Sequence, residues 1–348
     1  MIPVQRDLEQ ARDILSQWLQ EVLPEAKRVA LQTPTLFPSG YSAELLGCHA
    51  EWESAGEPCA DDFVVRVEPS SDYQLFLDTN FYEQYRVQEA LDHATSVPVP
   101  NMVGFENDAT VLGQRFYVMR KMPGRTAQIS DPWMLELGAE GRETLWWNGL
   151  EAMASLHRAD WLSLDLGLLS HVDRGTTPMD QQLSYYAEYY DWSREGKSHP
   201  VIEAAAWWLQ ANKPEGLPIS ISWGDARRGN QLFTPDLRCA AMLDFEQVSV
   251  GHAEFDFAWW LVAERRMAQV AGVQLPDRAL TEARYSEALG RPVEHVGYFE
   301  VFAAYRIAVL HIKLRRLLEG IPGNTHRPTG ELTLKELLRT NTDLDPIP

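Results

Sequence analysis

Apolar residues first recur at helical spacing, at Leu8, Ala11, Ile14, Leu15, Trp18 and Val22, and predict an amphipathic helix closed at Pro24. Short apolar runs follow at 28–31, 43–48 and 63–67, divided by turn residues, as in a small antiparallel sheet. Residues 77–94 return to turn spacing through Phe81, Tyr85, Gln88 and Leu91. The prolines of Val97-Pro98-Val99-Pro100 keep the chain extended into strands at 102–104 and 116–119. From Asp131 the pattern is helical and Trp-rich, with Leu145, Trp146, Gly149, Leu150, Met153, Leu156 and His157 on one stripe. Helices are expected again over 179–192, 201–211, 257–263 and 298–318, and a frayed tail over 341–348.

One stretch departs from these patterns. Between Ser222 and Glu246, two apolar runs, Gln231-Leu232-Phe233 and 240–246, flank a turn at Thr234-Pro235-Asp236, which predicts a β-hairpin. Asn230 precedes the first strand and Asp244 ends the second, so antiparallel pairing brings both to one end; Asp225 lies on the loop leading in. Two carboxylates and a carboxamide at one mouth are hard oxygen ligands suited to Mg²⁺. One carboxylate could instead take a proton from a substrate hydroxyl, and together these are the parts of a phosphoryl-transfer site.

Composition narrows the field. A chain of 348 residues with 45% hydrophobic content has room for a large core, and no apolar run reaches the length of a membrane span. The N-terminus lacks a signal pattern, and Cys48, Cys59 and Cys239 show neither metal spacing nor an even number, so a reducing cytoplasm is expected. The net charge of −19 argues against nucleic acid, and it suits either solubility or a polycationic substrate. A hydrolase would need a Gly-x-Ser-x-Gly elbow, which is absent, and a purely structural protein leaves Asp225, Asn230 and Asp244 unexplained.

The segment Gly224-Asp225, four residues, Asn230, and then Asp244-Phe245-Glu246 resembles the aminoglycoside phosphotransferase-like family, the relatives of choline kinase. The family usually has His where this chain has Trp223. Within it, the chain looks similar to kinase-like domains fused to acyl-CoA dehydrogenases. The resemblance implies an α+β, protein-kinase-like two-lobed fold, with a small antiparallel β N-lobe over 1–122 and a larger, mainly helical C-lobe over 123–348. It implies Asp225 as the catalytic base and Asn230 and Asp244 as metal ligands, with Glu246 of lower weight. Nucleotide binding falls to the Gly40-Tyr41-Ser42 loop, to Arg66 on the strand Val64-Val65-Arg66-Val67, and to backbone at Met119, Arg120 and Lys121 against the adenine edge. The family's helix glutamate, partner of the strand cation, falls on Gln84. Either Gln84 bonds Arg66 without charge, or the adjacent Glu83 substitutes, or the cation is held otherwise.

The tyrosine-rich segment 179–192 is read either as core or as a wall for the acceptor, His157 as a packed structural histidine, and Asp256 as a helix cap or a support for the catalytic loop. The expected activity is ATP- and Mg²⁺-dependent phosphorylation of a small-molecule hydroxyl, by a monomer or homodimer without nucleic-acid or membrane partners. The rival is a pseudokinase that binds nucleotide or ligand without transfer.

Overall fold

The computed structural model describes residues 6–37, 43–70, 74–129, 131–319 and 330–344. The chain divides into two compact units, Met1–His93 with Val99–Met122, and Ala94–Pro98 with Pro123–Pro348.

The first unit is a sheet covered on both faces. Its elements are α1 (Leu8–Val22), β1 (Ala26–Leu31), β2 (Thr35–Leu36), β3 (Glu44–Ser54), β4 (Glu57–Val67), α2 (Phe81–Ala94), β5 (Met102–Glu106), α3 (Ala109–Leu112) and β6 (Phe116–Arg120). Strand order is β1-β3-β4-β6-β5, with β2 paired to β3, and every pairing is antiparallel. The Asp7 carboxylate caps α1 by accepting from Glu9 N and Gln10 N. The apolar stripe of α1, Ala11, Leu15, Trp18 and Leu19, packs on Leu46, Cys48, Phe63, Val65, Val67, Phe116 and Val118. Side chains alternate across a strand, so Val64 turns to the other face. There it meets Phe81 and Tyr85 of α2 with Tyr117 and Met119 of β6. Arg66 shares that face by the same alternation, paired across the ladder with Tyr117.

Here the strands outrun the apolar runs that announced them. β3 and β4 form a long hairpin through Glu51, Glu53, Asp61 and Asp62, where backbone pairing continues after burial has stopped. The helix expected from residue 77 begins at Phe81, because Asn80 adopts a left-handed φ of 45°.

The second unit is mainly helical. It contains β7 (Arg125–Thr126), α4 (Pro132–Glu136), α5 (Gly138–His157), α6 (Pro178–Arg194), α7 (Pro200–Ala211), β8 (Ser220–Ser222), β9 (Gln231–Phe233), β10 (Cys239–Met242), β11 (Ser249–Gly251), α8 (Ala253–Ala271), α9 (Arg278–Leu289), α10 (Val296–Glu319) and α11 (Gly330–Asn341). An unbroken buried run from Tyr298 to Leu310 marks α10 as the central helix, apolar nearly all round, with α6, α7, α8 and α11 packed on it. Two small sheets, β10-β9-β7 and β11-β8, complete the unit. This two-lobed α+β arrangement is the protein-kinase-like fold. Helix α8 starts four residues before the expected 257, with His252 as its first flanking residue. The second hairpin strand stops at Met242, two residues short of the expected end at Asp244. Helices α9 and α11 lie where the sequence pattern gave no expectation.

Candidate active site

Strands β9 and β10 pair with Met242 opposite Gln231, and Leu243 N–H donates to Asn230 O at 2.8 Å. The hairpin therefore closes with Asn230 beside Leu243 and Asp244 one residue on. Asp244 leaves the strand in a left-handed conformation, φ 63°, which turns the chain toward Phe245 and Glu246. Non-glycine residues seldom hold that conformation, and Asp tolerates it better than most.

Asp225 is fixed from three directions. Its Oδ2 accepts from Asn230 Nδ2 at 2.7 Å and from Arg227 Nε at 3.0 Å, and its Oδ1 accepts from Trp259 Nε1 at 3.0 Å. Asn230 Nδ2 also donates to the Asp225 carbonyl at 3.0 Å. With its NH₂ group spent on Asp225, the carboxamide presents its oxygen on the other side, as a metal ligand must. Structure thus brings Asp225, Asn230 and Asp244 to one end of the hairpin, with Glu246 buried two residues further on. No group of three or more His, Cys, Asp or Glu that could hold a metal occurs among the described residues.

Beneath the loop lies Asp256, fully buried in the first turn of α8. It accepts from Trp223 N at 2.6 Å, Gly224 N at 2.8 Å, Ser222 Oγ at 3.2 Å and His157 Nε2 at 2.9 Å. His252, not Asp256, precedes the helix, so Asp256 supports the loop and does not cap. His157 is equally buried, held between Asp256 and the Tyr285 hydroxyl, which suits a structural histidine. Trp223 is fully buried and donates Nε1–H to Leu243 O at 2.8 Å. The indole thus ties the loop of Asp225 to the segment of Asp244. Gly224 has φ 98°, and a Cβ there would sit 2.4 Å from the Gln247 carbonyl oxygen, so only glycine fits.

Sequence reasoning missed Arg227 and Trp259. Arg227 is half-buried, and the neighbouring Asp225 charge, ahead of Asp244 and Glu264, raises its guanidinium pKa further above the usual value. It is a cation bonded to Asp225 and within the field of Asp244. Its neighbour Arg228 is buried in a forked pair with Glu264. Only the Asp-x-Arg spacing could have singled out Arg227. Trp259 sits in an apolar helical run that announced burial and nothing else.

On the first unit, Arg66 is buried on β4. Gln84, on the same side of the sheet, donates to Thr79 O at 2.7 Å and accepts from Tyr117 OH at 3.5 Å. Glu83 lies in the field of Arg115. Arg120 N and Lys121 N donate to Asn101 O and Asp62 O, both at 2.8 Å. These two donors are not open to a base edge, and the adenine expectation narrows to the other backbone groups from Met119 onward. Side chains of Arg120 and Lys121 pair with Asp61 and Asp62. Gly40, Tyr41 and Ser42 lie outside the described residues.

Residues 38–292 match the phosphotransferase enzyme family, APH. The chain belongs to that family. The chain is 32% identical over 177 residues to acyl-CoA dehydrogenase family member 11 of Gallus gallus, covering 51% of the chain and 22% of the relative. It is 24% identical over 286 residues to acyl-CoA dehydrogenase family member 10 of Mus musculus, covering 78% of the chain and 26% of the relative. The chain thus spans about a quarter of the length of these relatives. A Ralstonia eutropha structure assigned to the aminoglycoside phosphotransferases shares the fold at TM-score 0.70 and 23% identity, over 95% of this chain and 99% of that one. Plasmodium vivax ethanolamine kinase shares it at TM-score 0.59 and 11% identity, over 89% and 81%. No helix among the described residues is long and apolar enough to cross a membrane.

Proposed function

We propose that this phosphotransferase moves the γ-phosphoryl group of ATP, with Mg²⁺, onto a hydroxyl of a small molecule. The observation that carries the reading is the closed end of the hairpin, where Asn230 bonds Asp225 and Leu243 N–H bonds Asn230 O. In this reading the Asp225 carboxylate accepts the proton of the acceptor hydroxyl. The acceptor oxygen bonds to the γ-phosphorus as the bond to the bridging oxygen breaks, and nucleoside diphosphate leaves with that electron pair. Asn230 and Asp244 would hold the metal, with Glu246 a candidate of lower weight, and the Arg227 and Arg66 guanidinium groups would meet phosphate oxygens. What Mg²⁺ supplies when bound is neutralisation of charge on the phosphates. Remaining backbone groups near Met119, and the loop of Gly40, Tyr41 and Ser42, take the rest of the nucleotide.

Likeness to segments of proteins named as acyl-CoA dehydrogenases supports a place in the branch that carries such fusions. A small-molecule acceptor and a cytoplasmic setting complete the proposal. One observation favours a second reading, a pseudokinase: the helix position that carries a charged partner elsewhere in the family holds Gln84, and Gln84 is occupied by Thr79 and Tyr117.

A coupled assay of ADP release over a panel of hydroxylated metabolites separates the two. Acceptor-dependent ADP release that requires Mg²⁺ supports transfer. Tight MgATP binding by calorimetry with no release across the panel supports the pseudokinase.

A further inference from the structure

Arg306 is a buried cation that phosphoryl transfer, as proposed above, does not use directly. It sits on central helix α10 and is 2% exposed, between Phe302, Ala303, Ile307 and Val309, which are all apolar and buried. Its hydrogen bonds among the described residues go to three oxygens, none of them a carboxylate. Nε donates to Tyr186 OH at 3.0 Å, and NH2 donates to Gly224 O at 3.0 Å and to Gln247 Oε1 at 3.1 Å. Tyr186 OH in turn donates to Gln247 Oε1 at 3.0 Å, closing the network. The guanidinium lies over the rings of Trp259 at 4.5 Å, Tyr186 at 5.3 Å and Phe302 at 5.6 Å.

A buried cation without a carboxylate on it is costly, and an apolar side chain of similar volume often serves stability as well or better. Packing alone does not account for an arginine here. What only the fork supplies is a bridge between two loops. One is Gly224-Asp225, which carries the proposed base; the other is the segment from Asp244 to Gln247, which carries the proposed metal ligand. These loops already touch, since a Cβ on Gly224 would collide with Gln247. Arg306 clamps the contact from below and stacks on Trp259, whose indole N–H holds Asp225 Oδ1 at 3.0 Å.

We propose that Arg306 is a positioning residue that sets the spacing between the Asp225 loop and the Asp244 loop, acting through Gly224 O, Gln247 and Trp259. The assignment rests on the proposed phosphoryl transfer for its kinetic consequence and on geometry alone for its structural one.

Three variants test it in the full chain: Arg306→Met, Arg306→Lys and Arg306→Ala. The first readout needs no substrate. The Trp259 indole ¹⁵N–¹H signal, assigned with Trp259→Phe, is expected to move in Arg306→Met at a melting temperature close to wild type. The second readout is steady-state transfer to whichever panel acceptor wild type uses. There kcat is expected to fall about 10–100-fold, with KM for MgATP within about twofold, as for residues that orient a reacting group at one remove. Arg306→Lys should fall between, and millimolar guanidinium chloride should restore part of the loss in Arg306→Ala. An unmoved Trp259 signal overturns the proposal whether or not transfer is found. A kcat equal to wild type in Arg306→Met, or a loss confined to melting temperature with no rescue, also overturns it. A wild type inert on every acceptor refutes phosphoryl transfer only, and the indole signal still decides Arg306.

Discussion

Arg227 and Arg228 are adjacent and do different work. Arg228 is buried against Glu264, and removing one member of such a pair strands the other charge. Arg228→Ala is therefore expected to lose about 3–5 kcal/mol of stability in denaturant unfolding, far more than Arg227→Ala. Arg227 is half-exposed beside Asp225, so Arg227→Ala should keep its melting temperature and lose transfer rate. Equal destabilisation by both variants would contradict the division. The cysteines also differ: burial pushes the Cys48 and Cys239 thiols up to about 12. Their thiolate fraction at pH 8 is negligible, so alkylation there, read by peptide mass spectrometry, should mark Cys59 first. The residue scale is where sequence was least informative. Asp225, Asn230 and Asp244 carry a spacing that can be read, whereas Trp259, Gln247 and Arg306 act across contacts between 34 and 82 residues apart that no local pattern encodes.

Among the elements, the hairpin β9–β10 was legible because a turn signal between two short apolar runs admits few other structures. What was not legible is how its mouth is held. Trp223 in the usual histidine position donates to Leu243 O and packs on Phe245 with centroids 6.1 Å apart. Trp223→Phe loses the hydrogen bond and leaves part of the indole's buried volume empty, so stability should fall by more than the about 1 kcal/mol of the hydrogen bond alone. Gly224→Ala is the harsher change, forcing a methyl group into the Gln247 backbone at a left-handed φ. It should lower the melting temperature and abolish transfer; wild-type behaviour would show that the loop accommodates a Cβ and that the contact is not a constraint. Helix α2 shows the opposite failure of reading: its stripe is regular, yet Asn80 starts it late, because one left-handed residue is invisible to periodicity.

For the whole molecule, the alternation of apolar and polar positions gave a strand-rich first part and a helical remainder, because burial on a sheet and on a helix leaves different periods. Helix α11 escaped, since its buried Leu334, Leu337 and Leu338 follow a stretch without pattern. One buried pair gives a pH test of the helical unit. Burial alone would raise the Glu254 pKa, but the Arg291 guanidinium outweighs it and holds the carboxyl below its usual value. A depressed pKa contributes stability fully above the unfolded value, near 4.5, and loses it as pH falls through the folded value. The melting-temperature gap between wild type and Glu254→Gln should therefore be constant above about pH 5 and narrow below it. A gap that widens on acidification would contradict the sign.

The central claim, that Asp225 takes the acceptor proton beside a metal held by Asn230 and Asp244, is tested most directly by following transfer with ³¹P NMR in wild type and Asp225→Asn. The substitution keeps size and leaves both proposed metal ligands in place. The account predicts a phosphorylated acceptor signal in wild type and a rate lower by about 10²–10⁴-fold in the variant, at unchanged MgATP affinity and with a melting temperature lowered only by the loss of the Trp259 Nε1 bond to Asp225 Oδ1. Transfer at the wild-type rate by Asp225→Asn, or loss of MgATP binding with the fold intact, would contradict it.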